Sequence, residues 1–85
     1  MSVTIYTRPL CGYCAAALDL LKSKGTAFHE IDRANRPEIK AEMVQKSGGR
    51  MTFPQVFIAD RHIGGYDDLA RLERSGELDT LLAQG

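Results

Sequence analysis

The chain is poor in three things that would each have pointed elsewhere. It carries only two cysteines, Cys11 and Cys14, too few for the disulfide scaffold of a small secreted domain and better suited to a reducing compartment. It has no surplus of charge: eleven basic and eleven acidic residues cancel, which argues against a general nucleic-acid surface but leaves room for a local basic cluster around a small acidic ligand. No apolar run is long enough to cross a bilayer, and the first residues lack the basic and then apolar pattern of a secretory signal. The expectation is a cytoplasmic protein with neither membrane nor nucleic acid as a partner. With no repeat, linker or low-complexity tract in 85 residues, one domain over residues 1–85 is predicted, its core small but sufficient for an α/β unit.

Against that background stands Cys11-Gly12-Tyr13-Cys14, placed where a β-type run, Val3 to Thr7, gives way to a helix-type run, Ala15 to Lys24. The first helical turn leaves N–H groups without partners and carries partial positive charge, so a sulfur there is stabilised as thiolate, the form that attacks disulfides. Cys11 is the expected nucleophile. Cys14, one turn further in on the same face and more shielded, is the expected resolving thiol. A structural disulfide between them would close a very short loop, where the gain in chain entropy is smallest. A zinc site would need further ligands, and His29 and His62 lack the paired spacing of a zinc finger; neither histidine receives a catalytic role.

Val3 and Ile5 alternate with Thr4 and Tyr6 as a half-buried strand, which Arg8-Pro9-Leu10 ends. Cys14, Ala17, Leu18 and Leu21 recur at helical spacing, and Gly25 follows as a left-handed cap. Ala27 to Ile31 reads as a second strand, Pro37 as the first turn of a helix carrying Ile39 and Met43 inward, and Ser47-Gly48-Gly49 as its stop. Gln55 to Ala59 and His62-Ile63 form a hairpin turned by Asp60-Arg61. Gly64-Gly65 leads into a last helical region around Leu69 and Leu72, which Gly76 separates from a short segment bearing Leu78, Leu81 and Leu82. The predicted order is βαβαββα, with strands one and two parallel through a right-handed crossover and strands three and four antiparallel.

Cys11-Gly12-Tyr13-Cys14, Thr52-Phe53-Pro54-Gln55 and Gly64-Gly65-Tyr66-Asp67-Asp68, in that order, resemble the motifs of small bacterial dithiol glutaredoxins over essentially the whole chain. The resemblance implies an α/β thioredoxin fold with a four-stranded mixed sheet flanked by helices. It also implies glutathione as reductant and reduction of glutathione mixed disulfides and protein disulfides. Three departures stand out: Gly12 where proline is common, Tyr66 where several relatives carry another cysteine, and Phe53 in place of a small aliphatic residue.

The same resemblance implies a glutathione site. Phe53-Pro54 corresponds to a cis-proline turn whose preceding backbone pairs with the tripeptide like an added strand. Tyr66 and Asp67, at the start of the last helix, would meet the γ-glutamyl end, although Asp67 or Asp68 also reads as an ordinary helix cap. Arg8 and Lys40 match positions that meet the glycine carboxylate. Thr52 would touch the ligand, and Tyr13 would either wall it or pack on the loop. In the enzyme reading there is no metal. The alternative is a dimer holding a [2Fe–2S] cluster through Cys11 of each subunit and two glutathione thiols, which Gly12 fits and the retention of Cys14 disfavours; without a cluster the chain is expected to be a monomer.

Overall fold

The computed structural model describes residues 3–84. Its elements are β1 (Val3–Thr7), α1 (Gly12–Ser23), β2 (His29–Asp32), α2 (Pro37–Lys46), β3 (Gln55–Ile58), β4 (Arg61–Gly64), α3 (Tyr66–Ser75) and α4 (Glu77–Gln84). The strands form one sheet in the order β2-β1-β3-β4. β1 pairs with β2 in parallel and with β3 in antiparallel register, and β3 pairs antiparallel with β4. This is the mixed four-stranded sheet of the thioredoxin fold.

Alternation along the strands divides the core between the two faces of the sheet. Val3, Ile5, Val56 and Ile58 pack against Ala17 and Leu21 of α1, Leu69 of α3 and Leu78 of α4. Tyr6 and Phe57 point the other way, onto Met43 of α2. The first face is the main store of stability, since burying a side chain such as Leu21, Leu69 or Leu78 contributes about 1.5–3 kcal/mol. On the second face the Tyr6 hydroxyl donates to the Glu42 carboxylate. Burial first, and then that carboxylate, hold the Tyr6 phenol far above its ordinary range and keep it a neutral donor.

Local chemistry departs from the sequence expectation in three places. The second strand is His29–Asp32 rather than Ala27 to Ile31, because parallel pairing with Thr4–Thr7 sets its register and outweighs the intrinsic preference of an exposed edge. The hairpin turns one residue earlier, at Ala59-Asp60, with φ of 51° and 64°, and Ile58 faces Arg61; two left-handed residues match the right-handed twist of the strands. The segment after Gly76 is a full helix, α4. Gly76, at φ 81°, caps α3, and Lys24 Nζ at the end of α1 reaches Glu73 at 2.6 Å and Asp79 at 2.8 Å, tying α3 and α4 to α1.

Candidate active site

Both β1 and the crossover to α1 deliver Cys11 to the end of the sheet where β3 begins. Cys11 is the N-cap of α1, with extended φ −117° and ψ 108°. Its Sγ accepts the Cys14 backbone N–H at 3.2 Å, using one of the donors the first turn leaves free. That contact strengthens as negative charge builds on sulfur. The same sulfur lies 3.9 Å from the Phe53 carbonyl oxygen. Leu10, just before it, has φ 55° and is wholly exposed, so the chain turns outward and leaves Cys11 partly accessible.

Cys14 is different in kind. It is 3% exposed, and its thiol is pushed up to about 12, by burial first and then by its hydrogen bond with Cys11. The Arg8 backbone amide and the Arg8 charge act in the opposite direction. Both cysteines are free thiols, one reachable and one held protonated beneath it.

Beside this pair lies a groove of about 510 Å³. Six of the residues singled out from the sequence line it: Tyr13, Thr52, Phe53, Pro54, Tyr66 and Asp67. The Phe53–Pro54 peptide bond is cis. Tyr13 and Tyr66 stack with ring centroids 6.1 Å apart and planes inclined by 29°, so Tyr13 is a wall of the groove and spans from the cysteine loop to α3. Arg8 and Lys40 are exposed and contribute nothing to the lining; Arg8 acts instead on Cys14.

Three lining residues were not anticipated as ligand contacts: Arg50, Gly65 and Asp68. Asp68 is largely committed to the fold. Its Oδ2 accepts the Gly65 N–H at 3.1 Å, and its Oδ1 accepts from Arg71 at 3.2 Å. Gly64 makes this cap possible: at φ 125°, a Cβ there would sit 2.2 Å from Asp68 Oδ2. The cap reading anticipated for Asp67 or Asp68 therefore belongs to Asp68. Among the described residues no hydrogen bond or ion pair engages the Asp67 side chain, and it is exposed. Arg50 lies 3.9 Å from Asp68 Oδ2 and gives the groove a cation. Its sequence signal was weak, because a lone arginine after two glycines looks like any solvated charge.

The groove thus presents a cation, a carboxylate, the free N–H groups at the start of α3 and the backbone of Phe53, all beside an accessible sulfur. Among the described residues, no three metal-ligating side chains cluster.

Known proteins match this chain both in sequence and in fold. The family profile described as Glutaredoxin matches residues 3–63. A glutaredoxin of Pseudomonas aeruginosa is 48% identical over 81 residues, covering 95% of each chain. The solution structure of glutaredoxin from Brucella melitensis is 56% identical, with a TM-score of 0.84, over 96% of this chain and 88% of that one. The crystal structure of a buckwheat glutaredoxin–glutathione complex superimposes with a TM-score of 0.87 at 29% identity, over 96% of this chain and 76% of that one. The accessible and buried thiols at a helix mouth, the groove beside them and these relatives together make the chain a member of the glutaredoxin family, the glutathione-dependent disulfide oxidoreductases of the thioredoxin fold.

Proposed function

We propose that the protein reduces glutathione mixed disulfides through Cys11 alone and protein disulfides through Cys11 and Cys14 together. In the first cycle the Cys11 thiolate attacks the glutathione sulfur of a glutathionylated protein, forming a Cys11–glutathione disulfide. The substrate leaves as a thiolate and takes a proton from water. A second glutathione thiolate then attacks the glutathione sulfur of that adduct, releasing glutathione disulfide and restoring the Cys11 thiolate. In the second cycle the Cys11 thiolate attacks a protein disulfide, forming a mixed disulfide and releasing the first substrate sulfur as a thiolate that takes a proton from water. Cys14 then loses its proton and attacks the Cys11 sulfur, expelling the second substrate thiol and leaving an internal disulfide for two glutathiones to reduce.

The observation that carries this division is the contrast between the two sulfurs. Cys14 is buried and held protonated, so it does not compete as the first nucleophile. Once Cys11 is spent in a mixed disulfide, its share of the upward push on Cys14 disappears, and the second attack becomes easier.

In this reading the groove holds the glutathione. The Phe53 backbone pairs with its cysteine, the α3 N-terminus and Asp67 meet the γ-glutamyl carboxylate and ammonium, and Arg50 attracts a carboxylate. Tyr13, Thr52, Pro54 and Tyr66 supply the remaining walls, while Arg8 and Lys40 act at longer range as surface charge. Such a reductant is useful where glutathione is abundant, and a cytoplasmic location is part of this reading.

A second reading concerns Gly12. Beyond its chain neighbours and its own helix backbone, nothing lies within 4 Å of where a Cβ would stand, which leaves space beside Cys11 for a second copy of the chain. Of the two sulfurs only Cys11 is accessible to an iron ion, and the remaining ligands of a [2Fe–2S] cluster would come from a second Cys11 and two glutathione thiols. Bound there, such a cluster would supply one-electron chemistry or iron–sulfur transfer.

The deciding experiment for the enzyme reading compares Cys11→Ser and Cys14→Ser on a glutathionylated peptide and on a protein disulfide. Cys11→Ser should lose both activities; Cys14→Ser should keep the first and lose the second. Equal loss of the first activity in both folded variants would exclude the one-cysteine cycle.

A further inference from the structure

Gln55 opens β3 with its side chain wholly buried, and a buried primary amide must find partners on both of its ends. Its Nε2 donates to the Thr52 carbonyl oxygen at 3.0 Å and to Thr52 Oγ1 at 3.2 Å. The carbonyl can only accept, so the NH₂ end of the amide faces Thr52 and Oε1 faces the other way. There it meets His62 Nε2 at 2.7 Å. Since Oε1 can only accept, His62 Nε2 must carry a hydrogen. Burial and the Arg50 charge lower the His62 pKa against the weaker pull of Asp68, and the ring lies on Phe57 with centroids 5.1 Å apart. Neutral His62 is thereby fixed as the Nε2–H tautomer.

The consequence reaches the groove. Gln55 occupies a lone pair of Thr52 Oγ1, so the Thr52 hydroxyl hydrogen is left to turn toward a ligand acceptor. The Thr52 carbonyl is held as well, and with it the orientation of the backbone entering Phe53. We propose that His62 and Gln55 are positioning residues for glutathione: the Nε2–H of His62 locks Gln55, and Gln55 locks Thr52 at the groove. This rests on the assignment of the groove to glutathione made above. The hydrogen on Nε2 does the work, and the charge of the imidazole does not.

The test combines a spectroscopic readout on wild type with kinetics on His62→Leu and His62→Gln, the latter keeping an N–H donor at the same reach. Nitrogen-15 NMR of the imidazole in the neutral form should show Nε2 protonated and Nδ1 bare. His62→Leu should raise KM for a glutathionylated peptide about fivefold, the effect of one lost hydrogen bond, with kcat and the rate of Cys11 alkylation by iodoacetamide unchanged. His62→Gln should return KM to within about twofold of wild type.

An Nδ1–H tautomer in wild type would overturn the proposal even if neither variant folded. So would an unchanged KM in folded His62→Leu, or a His62→Gln variant no better than His62→Leu. Wild type that does not turn over the glutathionylated peptide at all would instead remove the glutathione reading, and the proposal with it.

Discussion

The two sides of the groove are built by opposite means. On one side Cys11, the proposed nucleophile, needs little beyond backbone: an N-cap position, one N–H at 3.2 Å and an exposed loop. On the other side, the groove proposed for recognition is lined mainly by two separate stretches, Arg50 to Pro54 and Gly65 to Asp68, with Tyr13 as a further wall. Reactivity is therefore local in sequence and robust, whereas recognition is assembled by the fold and exposed to damage at many points. Changes on the first side should alter which sulfur reacts, and changes on the second should alter how well substrate is held.

The largest contrast lies within the first side. With Cys14 pushed up to about 12, it stays almost wholly protonated at pH 8, so alkylation of native protein near neutral pH should mark Cys11 and spare Cys14. Mass spectrometry of the modified peptides checks this, and rapid modification of Cys14 in folded protein at pH 8 would break the comparison. The same shift has a sign in stability. The folded value lies above the ordinary 9.0, so the unfolded chain releases this proton first. Stability of the reduced protein should be at its full value below about pH 9 and be lost progressively as pH rises toward 12.

Next in size is Gly64→Ala, on the recognition side. The new Cβ would sit 2.2 Å from Asp68 Oδ2 at a φ of 125°, and strain plus overpacking should cost roughly 2–6 kcal/mol. Thermal melting measures it. A loss below about 0.5 kcal/mol, the range of ordinary surface changes, would mean the turn can rearrange without this glycine.

Adjacent aspartates should then separate binding from folding. Asp68 caps α3, so Asp68→Ala should lower stability by about 0.5–2 kcal/mol. Asp67 has an exposed carboxylate at the groove, so Asp67→Ala should leave melting alone and raise KM for glutathionylated substrate about tenfold, the scale of a charge-assisted hydrogen bond. Steady-state kinetics and melting on the same samples decide it, and exchanged phenotypes would reverse the assignment.

This difference between the two sides also governs what the sequence could reveal. The strand-to-helix change around Cys11 and the helical spacing of Cys14, Ala17 and Leu21 are local patterns, and they match α1 closely. The first strand's share of the main core face is equally legible, since Val3 and Ile5 follow strand alternation, whereas β3 is buried along its whole length and shows no such pattern. Arg50 and the Gln55–His62 contact were not legible, because they depend on which way long side chains turn once a hairpin and a loop have met. Arg8 and Lys40 stand outside the groove lining for the same kind of reason: a matching position in the chain does not decide where a flexible cation points. The shift of the turn to Ala59-Asp60 came from left-handed residues that are not glycine, where composition gives little warning.

The smallest effect is expected at Gly12, beside the nucleophile itself. Proline there should be tolerated for three independent reasons. Gly12 is the first residue of α1, where a missing N–H costs no helical hydrogen bond. Cys11 before it already has the extended φ −117° and ψ 108° that a following proline demands. No atom beyond its chain neighbours and its own helix backbone lies within 4 Å of a Cβ at position 12. Gly12→Pro should accordingly raise stability by about 0.4–1 kcal/mol, by restricting the unfolded chain, and leave turnover of glutathionylated peptide near the wild-type rate. If the open backbone is what admits a second copy over a shared cluster, the same variant should lose uptake of iron and sulfide in anaerobic reconstitution with glutathione. Absorption, dimer content and peptide turnover measured together separate these roles. Loss of turnover in a folded variant would show that the nucleophile side is less self-contained than its backbone contacts imply. Equal cluster uptake by both proteins would detach Gly12 from assembly, and no uptake by wild type would end the cluster reading.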